Sequence, residues 1–351
     1  MKAIVITNIS GKEVLQEQEV SVPKLNDDEV LIKVVAIAVN EPDIIEMEMF
    51  RNSVQPRKAF GLECSGIIEK VGSQVKTLKV HDEVCAILSG EGYAEKVCVP
   101  QGHVLPKPNN IPLVFAATLP YASCTIWTEL FTKSKLSKSF WLRPNGKARL
   151  SSDETLLVHE DCSGIDIFAI QIAKRMGATV YVSVSSRKEN NRYKNCNADF
   201  VVDFDDYNNL VREATGEEKG VDVVLQSRVS THFEKNLSCL KTGGRLISLG
   251  TCSLDTRDGF DTFPDTIQPD IPKIYWLSAA SFWRRDQESK ARIVAEVKEY
   301  VWPLIEAGIV CPVFPCRIFP FSEANEAYKL MKSEMTSHNN IGKILLVPNS
   351  S

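Results

Sequence analysis

The sequence predicts an α/β protein in which a doubly wound parallel sheet is joined to a second, β-rich domain. Three observations carry that prediction. First, Thr155–Gly177 (TLLVHEDCSGIDIFAIQIAKRMG) reads as a buried strand, a tight turn at Glu160–Gly164 and an amphipathic helix stopping at a glycine. A further strand, Ala178–Val184, follows, completing a β-α-β unit of the dinucleotide-binding kind. Second, the alternation continues: Phe200–Asp203, Gly220–Leu225 and Arg245–Gly250 read as strands, with helices at Tyr207–Thr215 and near Phe233–Leu240 between them. Strands that alternate with helices imply a parallel sheet covered on both faces. Third, the N-terminal region contains no such units, only short β-branched strands separated by Gly, Pro and Asp.

Those N-terminal strands are Met1–Thr7, Val30–Ala38, Gly61–Gly72, Asp82–Leu88 and Gly92–Val99, and they suit a small, irregular β-barrel. Ala116–Ala122 introduces a helix running to about Leu130 that bridges to the sheet domain. Beyond the sheet, Gln287–Ala307 places Ile293, Val294, Val297, Val301 and Leu304 at helical spacing. A strand at Val313–Phe319, a helix at Glu323–Met335 and a closing strand at Gly342–Val347 follow. A lone terminal strand suggests that the chain returns to complete its first domain. The expected domains are therefore 1–123, 124–287 and the returning segment 288–351.

At 351 residues, 44% hydrophobic, 25% charged and with a net charge of −4, the chain can bury a large core and offers no basic footprint for nucleic acid or an anionic membrane. The ten cysteines are scattered singly, and the closest spacing, Cys311 to Cys316, is no CxxC clip. No apolar run reaches the roughly 18–20 residues that span a bilayer. With no signal peptide and a C-terminal PNSS that is no organellar address, a cytosolic protein with reduced thiols is expected.

Five segments carry a resemblance nearly end to end: GLECSGIIEKVGSQVKTLKV (Gly61–Val80), VCAILSGEGYAEKVCVP (Val84–Pro100), FAIQIAKRMGA (Phe168–Ala178), EVKEYVWPLIEAG (Glu296–Gly308) and IGKILLVP (Ile341–Pro348). The chain resembles the medium-chain dehydrogenase/reductase superfamily, most of all its zinc-free NADPH:quinone oxidoreductase branch of plant type. That resemblance implies a Rossmann-type doubly wound parallel sheet plus a GroES-like β-barrel domain, with NADPH as cofactor and a homodimer formed through the edge of the sheet, where Ile274–Trp283 is the apolar candidate. It also implies no metal, because the positions that ligate zinc in related dehydrogenases match Asn40, Asp43 and Leu62, and the four-Cys lobe is missing.

Family members carry a turn close to HGGxSGxG, whose backbone N–H groups approach a pyrophosphate. The matching residues are His159-Glu160-Asp161-Cys162-Ser163-Gly164-Ile165-Asp166, so Glu160, Asp161 and Asp166 stand at glycine positions. A like-charge pair at 4 Å costs on the order of 4 kcal/mol at an effective dielectric of 20. A quarter of that for each of three groups weakens binding roughly a hundredfold; side chains that swing into solvent would leave it intact. Cofactor contacts are expected from Cys162, Ser163, Gly164 and Ile165 in the turn, from Thr125 on the bridging helix, and from Phe204 and Gly250 at strand ends. Ser185, Arg187 and Lys188 could supply a seat for the 2′-phosphate of NADPH, although a lone Arg is commonly a solvated surface residue. In the reaction chamber the resemblance points to Asn40 and Asp43 of the NxxD pattern, to Arg51 at the position where the family has tyrosine, and to Tyr121. Asn40 also suits a turn residue and Tyr121 a buried core residue. Residues 138–151 are an insert relative to the family, either a lid, a partner-binding loop or retained extra sequence.

Three functions follow as expectations. The first is reduction of a quinone or α,β-unsaturated carbonyl by hydride from NADPH, with cofactor binding weakened. The second is a non-redox isomerase or cyclase of a small metabolite that has lost NADPH binding. The third is a non-catalytic partner protein that uses the insert.

Overall fold

The computed structural model describes residues 1–9, 12–49, 57–58, 61–131, 150–160, 164–185, 190–216, 220–226, 233–249, 273–276, 286–312, 316–337 and 342–349. The chain divides into two compact units, one built from Met1–Thr125, Cys162–Gly164 and Trp283–Ser351, the other from Ile126–Asp161 and Ile165–Phe282.

The first unit is dominated by antiparallel pairing. Strands β1 (Lys2–Ile9) and β2 (Lys12–Glu19) form a hairpin, and β1 also pairs with the short β4 (Arg57–Lys58). β2 escapes a reading by hydrophobic pattern because KEVLQEQE is largely polar. The long β3 (Glu29–Val39) is central. It pairs with β5 (Glu63–Val71) and β7 (Lys96–Pro100), while β6 (Glu83–Ile87) and β8 (Val104–Pro106) extend the sheet beyond β5. Its run VLIKVVAIAV is almost wholly buried, which is why it lacks the alternation of a half-exposed strand. Gly66 on β5 is obligatory for this packing: a Cβ there would stand 2.2 Å from the Lys33 carbonyl oxygen. Helix α1 (Glu41–Met49) follows β3 directly; α2 (Leu113–Ala116) ends where the predicted bridging helix begins, and α3 (Pro120–Ile126) takes up the first part of that helix. Trp127–Phe131 then winds as a π-helix.

The second unit is a six-stranded parallel sheet of β9 (Thr155–His159), β10 (Thr179–Val184), β11 (Phe200–Asp203), β12 (Val221–Gln226), β13 (Leu240–Ser248) and β14 (Lys273–Trp276). The order is β11-β10-β9-β12-β13-β14, so the winding reverses between β9 and β12. Among the described residues four helices alternate with the strands: α4 (Ile165–Arg175), α5 (Asn190–Asn195), α6 (Tyr207–Ala214) and α7 (Phe233–Ser238). Leu156, Leu157 and Val158 of β9 are buried in succession, as a strand covered on both faces requires. β13 begins five residues before the predicted Arg245, because Lys241-Thr242-Gly243-Gly244 looks like a turn in sequence but is carried within the strand, with a register shift in its pairing to β12. Leu150, near the end of the insert, reaches back to the bridging segment: its N–H donates to the Leu130 carbonyl at 2.8 Å. The insert's residues 138–149 lie outside the described residues.

The chain then returns to the first unit. The predicted helix Gln287–Ala307 is two helices, α8 (Gln287–Tyr300) and α9 (Trp302–Glu306), because Pro303 opens a new first turn. Asp286 caps α8, accepting from Ser289 N–H at 2.8 Å. Strand β15 (Cys316–Pro320), helix α10 (Ala324–Ser337) and strand β16 (Lys343–Val347) end the fold. β16 inserts between β15 and β3, which ties the C-terminal strand into the N-terminal sheet.

Candidate active site

In the first unit the N-x-x-D pattern folds into a buried polar cluster. Asn40 follows β3 and Asp43 lies in the first turn of α1, and the Asp43 carboxylate accepts from Asn40 N–H (2.8 Å), Gly61 N–H (3.1 Å) and the Tyr93 hydroxyl (2.8 Å). The Asn40 side chain donates to Glu63 Oε1 (3.0 Å) and accepts at Oδ1 from Lys343 Nζ (2.7 Å), the ammonium lying 3.5 Å from Glu63 Oε1. Tyr121 N–H donates to Glu63 Oε2 at 2.8 Å, and its ring centroid lies 5.8 Å from the Lys343 ammonium. Asn40, Asp43, Glu63, Tyr121, Thr125 and Lys343 are all buried. Three of the expected site residues, Asn40, Asp43 and Tyr121, thus come together with two that the sequence reading did not single out, Glu63 and Lys343. The signal for both was a charge inside an apolar strand, in GLECSG and GKILLV.

Burial drives the Asp43 carboxyl up to about 7, against the pull of its three donors, and burial also raises Glu63. Between the unfolded value near 3.9 and about 7, the unfolded state has released a proton that the folded state keeps, so rising pH favours unfolding across that window. Urea unfolding of the first unit is expected to show a loss on the order of 3 kcal/mol from Asp43 between pH 4 and pH 7, and Asp43→Asn is expected to flatten that slope.

The same geometry tests the fit of zinc. At the three matching positions Leu62 carries no donor atom, Asn40 Oδ1 already receives an ammonium, and both Asp43 oxygens are engaged by donors. No group of three or more His, Cys, Asp or Glu suited to a metal exists among the described residues. This donor set does not fit zinc.

In the second unit the carboxyl ends of the strands carry a row of polar side chains. Ser183 of β10 is in register with His159 of β9, and Gln226 of β12 with Ser248 of β13, the β9 and β12 ends being adjacent. Asn236 on α7 organises the row. Its Oδ1 accepts from His159 Nε2 (2.8 Å) and from the Tyr207 hydroxyl, and its Nδ2 donates to Gln226 Oε1 (2.6 Å). An amide oxygen only accepts, so His159 carries its proton on Nε2, and Nδ1 accepts from Ser183 Oγ at 2.5 Å. Phe204 lies edge-on to the His159 ring, centroids 5.7 Å apart. Gln226 Nε2 and Ser248 Oγ are buried without partners. In an open parallel sheet the carboxyl ends beside the reversal of strand order are where ligands bind, and buried unpaired polar atoms there are groups a ligand can satisfy.

The turn after β9 differs from the expectation of three carboxylates facing a pyrophosphate or solvent. Glu160 Oε2 accepts from Ser185 N–H (2.8 Å) and Ser185 Oγ (2.7 Å) at the tip of β10. Asp166, buried in the first turn of α4, accepts from the Tyr193 hydroxyl (2.5 Å) and from Ile167 N–H (2.8 Å). Both carboxylates are therefore drawn onto protein donors. Gly164 adopts φ +77°, a conformation that favours glycine, and Ile165 opens α4 as a buried residue. With a helix N-terminus beyond a left-handed glycine and unpaired polar atoms along the strand ends, the described residues fit a dinucleotide, which Ile165 and the Gln226–Ser248 pair would hold. Arg51, Asp161, Cys162, Ser163, Arg187, Lys188 and Gly250 lie outside the described residues.

A parallel sheet of this order, in a chain that also folds an antiparallel unit closed by its own C-terminal strand, defines a two-domain dehydrogenase fold. Residues 26–109 match the alcohol dehydrogenase GroES-like domain and residues 164–269 the zinc-binding dehydrogenase family. The chain belongs to the medium-chain dehydrogenase/reductase superfamily of oxidoreductases. It is 24% identical to probable polyketide synthase 45 of Dictyostelium discoideum and 26% identical to lovastatin diketide synthase lovF of Aspergillus terreus. Each match covers 92% of this chain but only 11% and 12% of those proteins. Among solved structures it is similar to the CurK enoyl reductase (TM-score 0.75, 21% identity, 99% of each chain) and to Escherichia coli quinone oxidoreductase complexed with NADPH (TM-score 0.72, 22% identity, 99% and 100%). At these identities the structures speak for the fold. Among the described residues no helix is long and apolar enough to cross a membrane.

Proposed function

We propose that the protein reduces an activated carbon–carbon double bond, in an α,β-unsaturated carbonyl compound or a quinone, at the expense of a reduced nicotinamide dinucleotide. The observation that carries this reading is the chemistry of the barrel cluster. Alcohol oxidation in this superfamily relies on a metal to acidify the hydroxyl, and here an ammonium on Asn40 and a leucine occupy the matching positions. Reduction of a polarised alkene needs no such acid, only a hydride donor and a positioned acceptor. The bound dinucleotide supplies the hydride. Gly164, Ile165 and the helix terminus they form would bind its pyrophosphate, and Gln226 and Ser248 would offer a donor and a hydroxyl at the strand ends.

Support also comes from the relatives, polyketide synthases whose matched portion spans 92% of this chain, and from the enoyl reductase and quinone oxidoreductase among the structural neighbours. The test is steady-state turnover of the purified chain with NADH or NADPH against crotonyl thioesters, enals and quinones. Oxidation of the dinucleotide that depends on one of these acceptors is expected. A chain that binds the dinucleotide yet turns over none of the three classes would contradict the reading.

A further inference from the structure

We infer that Glu160 makes the protein select the nicotinamide dinucleotide without a 2′-phosphate, by holding the donors at the tip of β10 on its own carboxylate. The inference rests on the dinucleotide reading above and deepens it. In a sheet wound in this order, the adenosine ribose of a bound dinucleotide lies at the carboxyl end of the second strand of the unit, here β10. Ser185 is the first residue beyond that strand and presents two donors, its N–H and its hydroxyl. A 2′-phosphate would require donors at this place. Glu160 Oε2 already accepts from both, at 2.8 and 2.7 Å.

The second carboxylate oxygen supplies the positive half of the argument. Glu160 Oε1 is buried and has no hydrogen-bond partner. A ribose 2′-hydroxyl has a proton to give it. A phosphate dianion has none and adds like charge. No Lys or Arg side chain bonds to Glu160 among the described residues. Each unit of like charge at 4 Å in a water-like dielectric weakens binding about fivefold, so a dianion is disfavoured roughly thirtyfold. The arrangement differs from the usual one for an NAD site, because the acid projects from the turn after the first strand and reaches sideways to the second. It also runs against the sequence expectation that Ser185, Arg187 and Lys188 form a seat for the 2′-phosphate.

The experiment is titration of NADH, NADPH and ADP-ribose into the full chain and into Glu160→Ala and Glu160→Gln, followed by nicotinamide fluorescence or heat. The expected result is NADH bound at least about tenfold tighter than NADPH by the native chain. In Glu160→Ala the preference falls to within about threefold through tighter NADPH binding, and Glu160→Gln lies between. Should Glu160→Ala fail to fold, the Glu160→Gln ratio decides. Equal or tighter binding of NADPH by the native chain overturns the inference but leaves the reductase reading standing. So does an NADH preference that both variants leave unchanged. Binding of none of the three probes overturns both.

Discussion

Lys343→Met is expected to destabilise the first unit by about 3–5 kcal/mol at pH 8, the cost of leaving a buried carboxylate without its cation. Glu63 is completely buried and Lys343 nearly so, with the ammonium 3.5 Å from Glu63 Oε1 and 2.7 Å from Asn40 Oδ1. Removing the ammonium strands Glu63 and leaves the Asn40 carbonyl oxygen unpaired. The carboxyl's escape is to take up a proton, toward which burial already inclines it, so the penalty is expected to shrink at pH 5. A double variant, Glu63→Gln with Lys343→Met, removes both charges and is expected to recover most of the loss, because a neutral buried pair needs no counter-ion. Urea unfolding of the two single variants and the double variant measures the coupling. A Lys343→Met cost below about 1 kcal/mol, or a double variant no better than the single, would show that this pair does not hold the cluster together.

Asn236→Leu is expected to cost the second unit about 2–4 kcal/mol, since the near-isosteric change leaves His159 Nε2, the Tyr207 hydroxyl and Gln226 Oε1 buried without their shared partner. The individual penalties do not add, because the three groups relax together. Asn236→Asp keeps the acceptor for His159 and Tyr207 and loses only the donation to Gln226, so it is expected to cost less. Hydrogen exchange at β9 and β12 amides would locate the effect at the strand ends. Unchanged exchange there would mean that the row is held by the strands alone.

Much of the fold was legible because the parallel sheet writes itself as alternation: continuous apolar strands such as LLV in β9, separated by helices that end at glycine. What escaped had local causes. The polar β2 lacks an apolar period, and the glycines of β13 imitate a turn. Pro303 splits a helix whose hydrophobic spacing runs through the break. The site was only half legible. Asn40, Asp43 and Tyr121 could be named from motif position, but their partner Lys343 is 303 residues from Asn40, and no local pattern joins them. Likewise, Glu160 and Asp166 are visible as acids in a glycine turn, whereas their direction depends on Ser185 and Tyr193, which only the folded sheet brings within reach.

The most direct test of the account is the path of the hydride. The purified chain is to be supplied with the reduced nicotinamide dinucleotide carrying deuterium at both C4 positions and an α,β-unsaturated thioester, and the product examined by mass spectrometry and NMR. The account predicts a saturated product carrying one deuterium on the β-carbon. A product formed without deuterium, or an isomerised substrate with the dinucleotide unconsumed, would contradict it.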